Sequence, residues 1–184
     1  MNIKKLENPA RVAELNPLET LKKIGVDEGT VFFDYGAGTG VFSIPACKMT
    51  KEKVYAYDIS SHMLDAIKQK AEHESIENIV LLDADGLARQ IDSIQVDNIM
   101  MAAVYHHIDD LEKMFENFAR LLKKEGKVSV IEFFYKETPM GPPTSHRVHR
   151  QSLVDEFTQH DYKVSEEFEL GENFYLISFV KSII

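Results

Sequence analysis

Apolar positions along this chain recur with two different periods, and the two alternate. Short apolar runs at Thr30–Tyr35, Lys53–Asp58, Asn78–Asp83, Val96–Val104 and Lys127–Phe134 read as strands. Between them, apolar residues fall every three or four positions. Behind Ser60 and Ser61, which supply a cap, Met63, Leu64, Ile67 and Ala71 share one helix face. Behind Asp109-Asp110, Leu111, Met114, Phe115, Phe118, Leu121 and Leu122 form the core-facing stripe of an amphipathic helix that Gly126 ends. Thr39–Lys48 and Val148–His160 also read as helices, with Pro45 kinking or shortening the first. The stretch after Asp83 reads as short and irregular. Tyr162–Leu170 and Phe174–Lys181 are joined by Gly171-Glu172-Asn173, a hairpin-sized connection that makes the last two strands antiparallel. The pattern predicts an α/β fold: a doubly wound, mostly parallel sheet, helices on both faces and an antiparallel C-terminal strand.

In such a sheet, ligands bind beyond the carboxyl ends of the strands. Acids fall there in turn, Asp34, Asp58 and Asp83 following the first three strands. The first strand runs directly into Asp34-Tyr35-Gly36-Ala37-Gly38-Thr39-Gly40. Its alternating glycines remove the Cβ atoms that would bar a sharp bend and a close ligand. The acid bears on the ligand's charge. A pyrophosphate on the following helix would be repelled by Asp34, whereas a sulfonium or ammonium group would be attracted. The spacing also departs from the Gly-x-Gly-x-x-Gly fingerprint of nicotinamide dinucleotide sites.

Composition narrows the partners. The chain has 184 residues and a formal charge of −9, which argues against nucleic acid. A single cysteine, Cys47, excludes an intrachain disulfide and a cysteine metal cluster and fits a reducing compartment. No apolar run approaches a membrane span and the first residues do not read as a signal peptide, so a cytoplasmic chain in one domain, residues 1–184, is expected.

With these residues in place, the sequence resembles the class I S-adenosylmethionine-dependent methyltransferases, nearest to the small-molecule group that includes the ubiquinone/menaquinone-biosynthesis type. The resemblance implies seven strands in the order 3-2-1-4-5-7-6 and S-adenosylmethionine as cofactor. It places Asp34, Tyr35, Gly36, Ala37, Gly38 and Gly40 in the first motif. Tyr55–Ser60 matches the second motif, with Asp58 on the ribose hydroxyls, Ile59 among the cofactor-binding residues and Met63 near the adenine. Asp83 and Ala84 match the adenine-recognising segment, although Leu82 and Ala88 stand where the family has Gly and Pro, so Asp85 rivals Asp83. Ala102 and Ala103 fall where backbone cradles the methionine moiety. Residues 1–25, too short for a second domain, are expected to form N-terminal lid helices. A nicotinamide-dependent oxidoreductase and a non-catalytic metabolite-binding domain are the competing readings.

No catalytic set stands out, and a methyl donor activated by its own sulfonium needs mainly alignment of the acceptor. His106 and Glu132 are candidates for touching a small-molecule acceptor. Adjacent His106 and His107 are poorly placed to chelate one metal ion, so no metal is expected. The loop after Phe134 carries Pro139-Met140-Gly141-Pro142-Pro143-Thr144-Ser145-His146-Arg147. There, His146 and Arg147 read either as the cationic anchor of an anionic acceptor or as solvated residues at a helix start.

Overall fold

Phe32, Phe33, Asp34 and Tyr35 are all buried, as a strand covered by helices on both faces requires. In the computed structural model, which describes residues 3–182, they form β1 (Phe32–Tyr35). The other strands are β2 (Val54–Tyr57), β3 (Ile79–Leu82), β4 (Val96–Ala102), β5 (Leu122–Phe133), β6 (Tyr162–Leu170) and β7 (Phe174–Lys181). The sheet order is 3-2-1-4-5-7-6, parallel through β5, with β7 antiparallel between β5 and β6. The expected topology is therefore the observed one. Met1, Asn2, Ile183 and Ile184, the ends of the expected single domain, lie outside the described residues.

Alternate residues of the strands feed two cores. Phe33, Ile99, Met101 and Val130 pack with Leu87 of α6 (Ala84–Gln90), Phe118 of α7 (Leu111–Leu121) and Phe157 of α8 (Arg150–Gln159). Phe32, Met100 and Ile131 pack on the opposite face with Leu15 of α2 (Pro9–Leu15), Leu21 of α3 (Pro17–Lys23) and Ala46 of α4 (Ser43–Met49). The remaining helices are α1 (Ile3–Leu6) and α5 (Ser61–His73), whose Ile67 and Ala71 meet Ala37 and Ile44.

Three local features differ from the sequence reading, and a fourth, the shortening expected at Pro45, is seen. Residues 84–90 are helical. Asp83 caps α6 by accepting from the Gly86 N–H at 2.6 Å, a signal masked by a glycine in the first turn. Pro45 sits in the first turn of α4, where its missing N–H has no intrahelical partner to lose, so the helix is short but unbroken. Ser60 precedes α5 without a side-chain cap; its own N–H is held by Asp58 at 2.9 Å. β5 begins at Leu122, and its register on β4 slips between the Val96–Leu122 and Asn98–Lys127 pairs. Gly126 permits the slip, since a Cβ there would lie 2.7 Å from Leu122 Cγ.

Candidate functional site

The glycine turn hangs on the last carbonyl of β2. The N–H groups of Gly36 and Ala37 both donate to the Tyr57 carbonyl at 2.8 Å, which folds the chain back over the sheet edge. Gly36 and Gly38 adopt φ of 80° and 54°, the region where a side chain is strained. At Gly36 the space is closed as well, because a Cβ would stand 2.6 Å from the Val104 side chain. Gly40 does different work from that expected. It lines neither cleft described below; a Cβ there would stand 3.1 Å from Ile67 and 3.3 Å from Ile44, so this glycine lets α5 pack closely against α4.

Two clefts flank the turn. One is walled by the glycine turn itself, Asp34, Ala102, Ala103, Leu6 and Arg11. The other is walled by Tyr35, Tyr57, Ile59, Ala84, Leu87 and Ile108. Asp58 itself lines neither, but its bonded and chain neighbours line both. One carboxylate oxygen accepts the Gly38 N–H at 2.8 Å, on the side of the first cleft, and its neighbour Ile59 lines the second. Ile59 is 81% exposed and lines the second cleft.

Asp34 is the buried carboxyl of the first cleft. It is 2% exposed and accepts from the Ser43 hydroxyl at 2.5 Å. Burial pushes its pKa up to about 7; the Ser43 bonds oppose the rise and Asp58 adds to it. Burial, with Asp34 adding to it, also lifts the nearby Cys47 thiol to about 12, so this cysteine is an inert core residue.

The other residues expected around an adenine and a methionine divide. Ala84 lines the second cleft, while the Asp83 side chain is exposed and spends one oxygen on the α6 cap; exposed Asp85 follows it. Met63 is 2% exposed on α5 and lines neither cleft, a correction to its expected place, since the inward stripe of α5 carries it into the interior. Ala103 holds φ at 56° while its N–H donates to Ile131 at 2.8 Å, a strained backbone at the cleft wall.

Beside the first cleft, the structure joins two residues far apart in the chain. Glu132 at the end of β5 is fully buried, and both its oxygens lie 2.9 Å from His106 Nδ1. The His106 backbone N–H donates to the same carboxylate at 3.2 Å. Arg11, 8% exposed, reaches this region from α2; burial lowers its pKa and Glu132 raises it. Neither Arg11 nor Leu6 was singled out in the sequence. Their segment reads only as an N-terminal cover, with nothing local to mark which side chain turns inward.

Arg147 is corrected outright. Its guanidinium is buried in the loop it belongs to, with Nε donating to Pro142 at 2.9 Å and Nη1 to the carbonyls of Phe134 and Lys136 at 3.0 and 2.5 Å. Nη2 donates to Thr138 Oγ1 at 2.6 Å and to the Met140 carbonyl at 3.2 Å. All five N–H groups of the fork are spent, so none is free for an acceptor anion. His146 is exposed on the neighbouring short helical turn and lines neither cleft. Prolines and a φ-positive glycine leave few backbone donors in this loop, and one arginine gathers the carbonyls of Lys136, Met140 and Pro142 together with that of Phe134, which also accepts the Lys136 N–H.

Among the described residues no three His, Cys, Asp or Glu side chains are grouped to hold a metal ion, and no helix is long and apolar enough to cross a membrane.

Comparison with known proteins agrees with this geometry. A family model described as a methyltransferase domain matches residues 32–126. A ubiquinone/menaquinone biosynthesis C-methyltransferase of Francisella tularensis subsp. novicida is 30% identical over 118 residues, 62% of this chain and 47% of that enzyme. An uncharacterized methyltransferase of Schizosaccharomyces pombe is 28% identical over 114 residues, 56% of this chain and 39% of that protein. The chain thus matches about half the length, or less, of these curated relatives. Among solved structures, a SAM-dependent methyltransferase from Aquifex aeolicus superposes with a TM-score of 0.86 at 25% identity, covering 96% of this chain and 95% of that one. A methyltransferase from Thiobacillus denitrificans in complex with S-adenosyl-L-homocysteine shares the fold, with a TM-score of 0.66 at 13% identity over 95% of this chain and 98% of that one.

Proposed function

Because the chain belongs to the methyltransferase domain family, we propose that it transfers a methyl group from S-adenosylmethionine to a small-molecule acceptor. One observation carries this reading: Asp58 holds the glycine turn through Gly38, which lines one cleft, and is followed by Ile59, which lines the other. An amino acid in one cleft and a purine in the other would put a ribose at that carboxylate, whose remaining lone pairs can accept two hydroxyl protons. Ile59 and Ala84 then cover the adenine, and Ala102, Ala103 and the glycine turn border the methionine moiety. Bound there, the cofactor supplies a methyl group activated by a positive sulfur. The residues of the chain bind it, orient it and exclude water. Membership of this family sets aside the nicotinamide oxidoreductase reading, and Asp34 beside the turn accords with that.

The N-terminal helices act as the lid over the first cleft. Leu6 lies over Gly38, where an added Cβ would meet its Cδ1 at 3.2 Å. The far side is tied by Lys70, which pairs with Glu7 and donates to the Thr39 carbonyl at 2.7 Å. Glu14 fastens α2 to the β6–β7 turn, accepting from Asn173 Nδ2 at 2.6 Å and from its N–H at 3.0 Å. A cover this close favours a small acceptor. The net charge of −9 favours neither nucleic acid nor an anionic membrane surface. The buried Cys47 suits the cytoplasm.

The test is calorimetric. Asp58→Ala is expected to weaken S-adenosylhomocysteine binding by about 1–3 kcal/mol, the range for hydrogen bonds to a charged group. Unchanged affinity would remove the ribose assignment.

Asp34 makes the same affinity depend on pH. With its pKa near 7 in the free protein, the carboxyl is increasingly protonated as pH falls below that value and must ionise to meet a cationic ligand. Affinity for S-adenosylmethionine should rise as pH climbs from 6 towards 8, by at most about tenfold per unit, then level off. Asp34→Asn should bind more weakly with a flat profile; a wild-type profile that is itself flat would exclude the linkage. For stability the sign is opposite. The raised carboxyl pKa contributes stability that is full below the ordinary value of 3.8 and is lost as pH rises through 7.

A further inference from the structure

We propose that Arg11 grips the carboxylate at the amino-acid end of the cofactor and so fastens the N-terminal cover onto it; this rests on the methyltransferase reading above. Among the described residues that line the first cleft, only Asp34 and Arg11 have ionisable side chains; the others are apolar residues, glycines and Thr39. A cleft with one buried carboxyl and one buried guanidinium matches a zwitterion, its ammonium group drawn to Asp34 and its carboxylate to Arg11. The glycine turn is not free to take the carboxylate instead. The N–H groups of Gly36 and Ala37 are given to Tyr57, that of Gly38 to Asp58 and that of Gly40 to Ala37.

Arg11 has donors to spare. Its side chain is 92% buried by contrast with its exposed neighbours on α2, and among the described residues its guanidinium makes one bond, from Nη1 to the Leu6 carbonyl at 2.9 Å. A guanidinium offers its N–H groups in a planar fork, so the parallel pair that a carboxylate accepts remains open. Glu132 faces it electrostatically but forms no ion pair with it, both carboxylate oxygens being engaged 2.9 Å from His106 Nδ1. A buried cation without a paired anion is costly, and a bound carboxylate removes that cost. The mounting matters as well. Arg11 stands in α2 and holds the carbonyl of Leu6, which ends α1 and lies over Gly38. The cleft beneath has about 30 Å³ of free space, the share of liquid that one water molecule takes. An amino acid needs more, so the cover lifts to admit it and Arg11 travels with the cover. Closure on the carboxylate then ties α1 and α2 to the ligand. A carboxylate on the acceptor would present the same chemistry; the cofactor's is favoured because Asp34 and the glycine turn share this cleft.

The test uses the full chain and compares S-adenosylhomocysteine with its decarboxylated analogue, which keeps the adenosine, the thioether and the ammonium group. Calorimetry on wild type should find the analogue bound about tenfold more weakly or worse, the factor that about 1.4 kcal/mol produces. Arg11→Met, which keeps an unbranched apolar stem, should lose a similar factor for S-adenosylhomocysteine, while its affinity for the analogue stays within about threefold of wild type. Hydrogen exchange of residues 3–15 should slow in wild type saturated with S-adenosylhomocysteine, and less at equal saturation with the analogue. Failure of S-adenosylhomocysteine to bind wild type would remove the methyltransferase reading and this inference together. If it binds, three results each overturn this inference alone. Equal affinity of wild type for the two ligands would hand Arg11 to the acceptor. An Arg11→Met loss of the same size for both would reduce the residue to a structural part of α2. Equal protection of residues 3–15 by both would show that the carboxylate does not fasten the cover.

Discussion

Gly36→Ala is expected to lose S-adenosylhomocysteine binding and to melt well below wild type. Two costs coincide at this residue. Its φ of 80° lies in the left-handed region, which costs a side chain roughly 1–2 kcal/mol. The added Cβ would also meet the two methyl carbons of Val104 at 2.6 and 2.7 Å, an overpacking worth about 1–3 kcal/mol more. For a domain of this size each kcal/mol lowers Tm by about 2–4 °C. Binding suffers separately, because relief of the clash moves the Gly36 and Ala37 N–H groups off the Tyr57 carbonyl and with them the turn. Adding Val104→Ala should restore part of the melting temperature but not the full affinity, since the φ cost and the displaced turn remain. Calorimetry and thermal denaturation of the single and double variants check both halves. A Gly36→Ala protein with wild-type affinity and Tm would refute the account of this turn.

Arg147→Ala should open the loop between Phe134 and Val148 while leaving S-adenosylhomocysteine affinity near wild type. A hydrogen bond to a charged group contributes about 1.5–3 kcal/mol, and Arg147 makes five of them within one loop, besides stacking 5.1 Å over the Phe133 ring. Truncation leaves the carbonyls of Phe134, Lys136, Met140 and Pro142 without the donor that gathers them. Arg147→Lys should fail to rescue, because three donors on a flexible stem cannot reproduce a planar five-donor fork. Hydrogen exchange and limited proteolysis should locate the change within residues 134–148. Wild-type protection of that segment in Arg147→Ala would show that the prolines alone hold the loop.

The expectation of an anion anchor at Arg147 failed for a reason that bears on sequence reading in general. An arginine beside prolines and a glycine has two quite different uses, recognition of a ligand and satisfaction of stranded backbone carbonyls. Both present the same letters. The same ambiguity hid the difference between Gly36 and Gly40, which share a motif and a positive φ but face Val104 and Ile67 respectively. Asp83 was a third case: an acid at a strand end is equally a helix cap, and here it caps a helix the pattern did not show.

The sequence by itself determined the run of strands with the helices that follow β1, β2, β4 and β5, the antiparallel closing hairpin and the edge on which Asp34 and Asp58 appear. These follow from period-two and period-3.6 patterning and from short-range turn chemistry, which depend on neighbours within a few residues. Only the tertiary structure decided that Asp34 would be buried deeply enough to titrate near 7, that Glu132 would meet His106 across 26 residues of chain, and that Arg11 of the N-terminal helices would turn into the cleft. Burial, desolvation and pairing of charges depend on which distant segments pack together. No local pattern encodes them, so the chemistry of this site became legible only once the sheet edge and its cover were assembled.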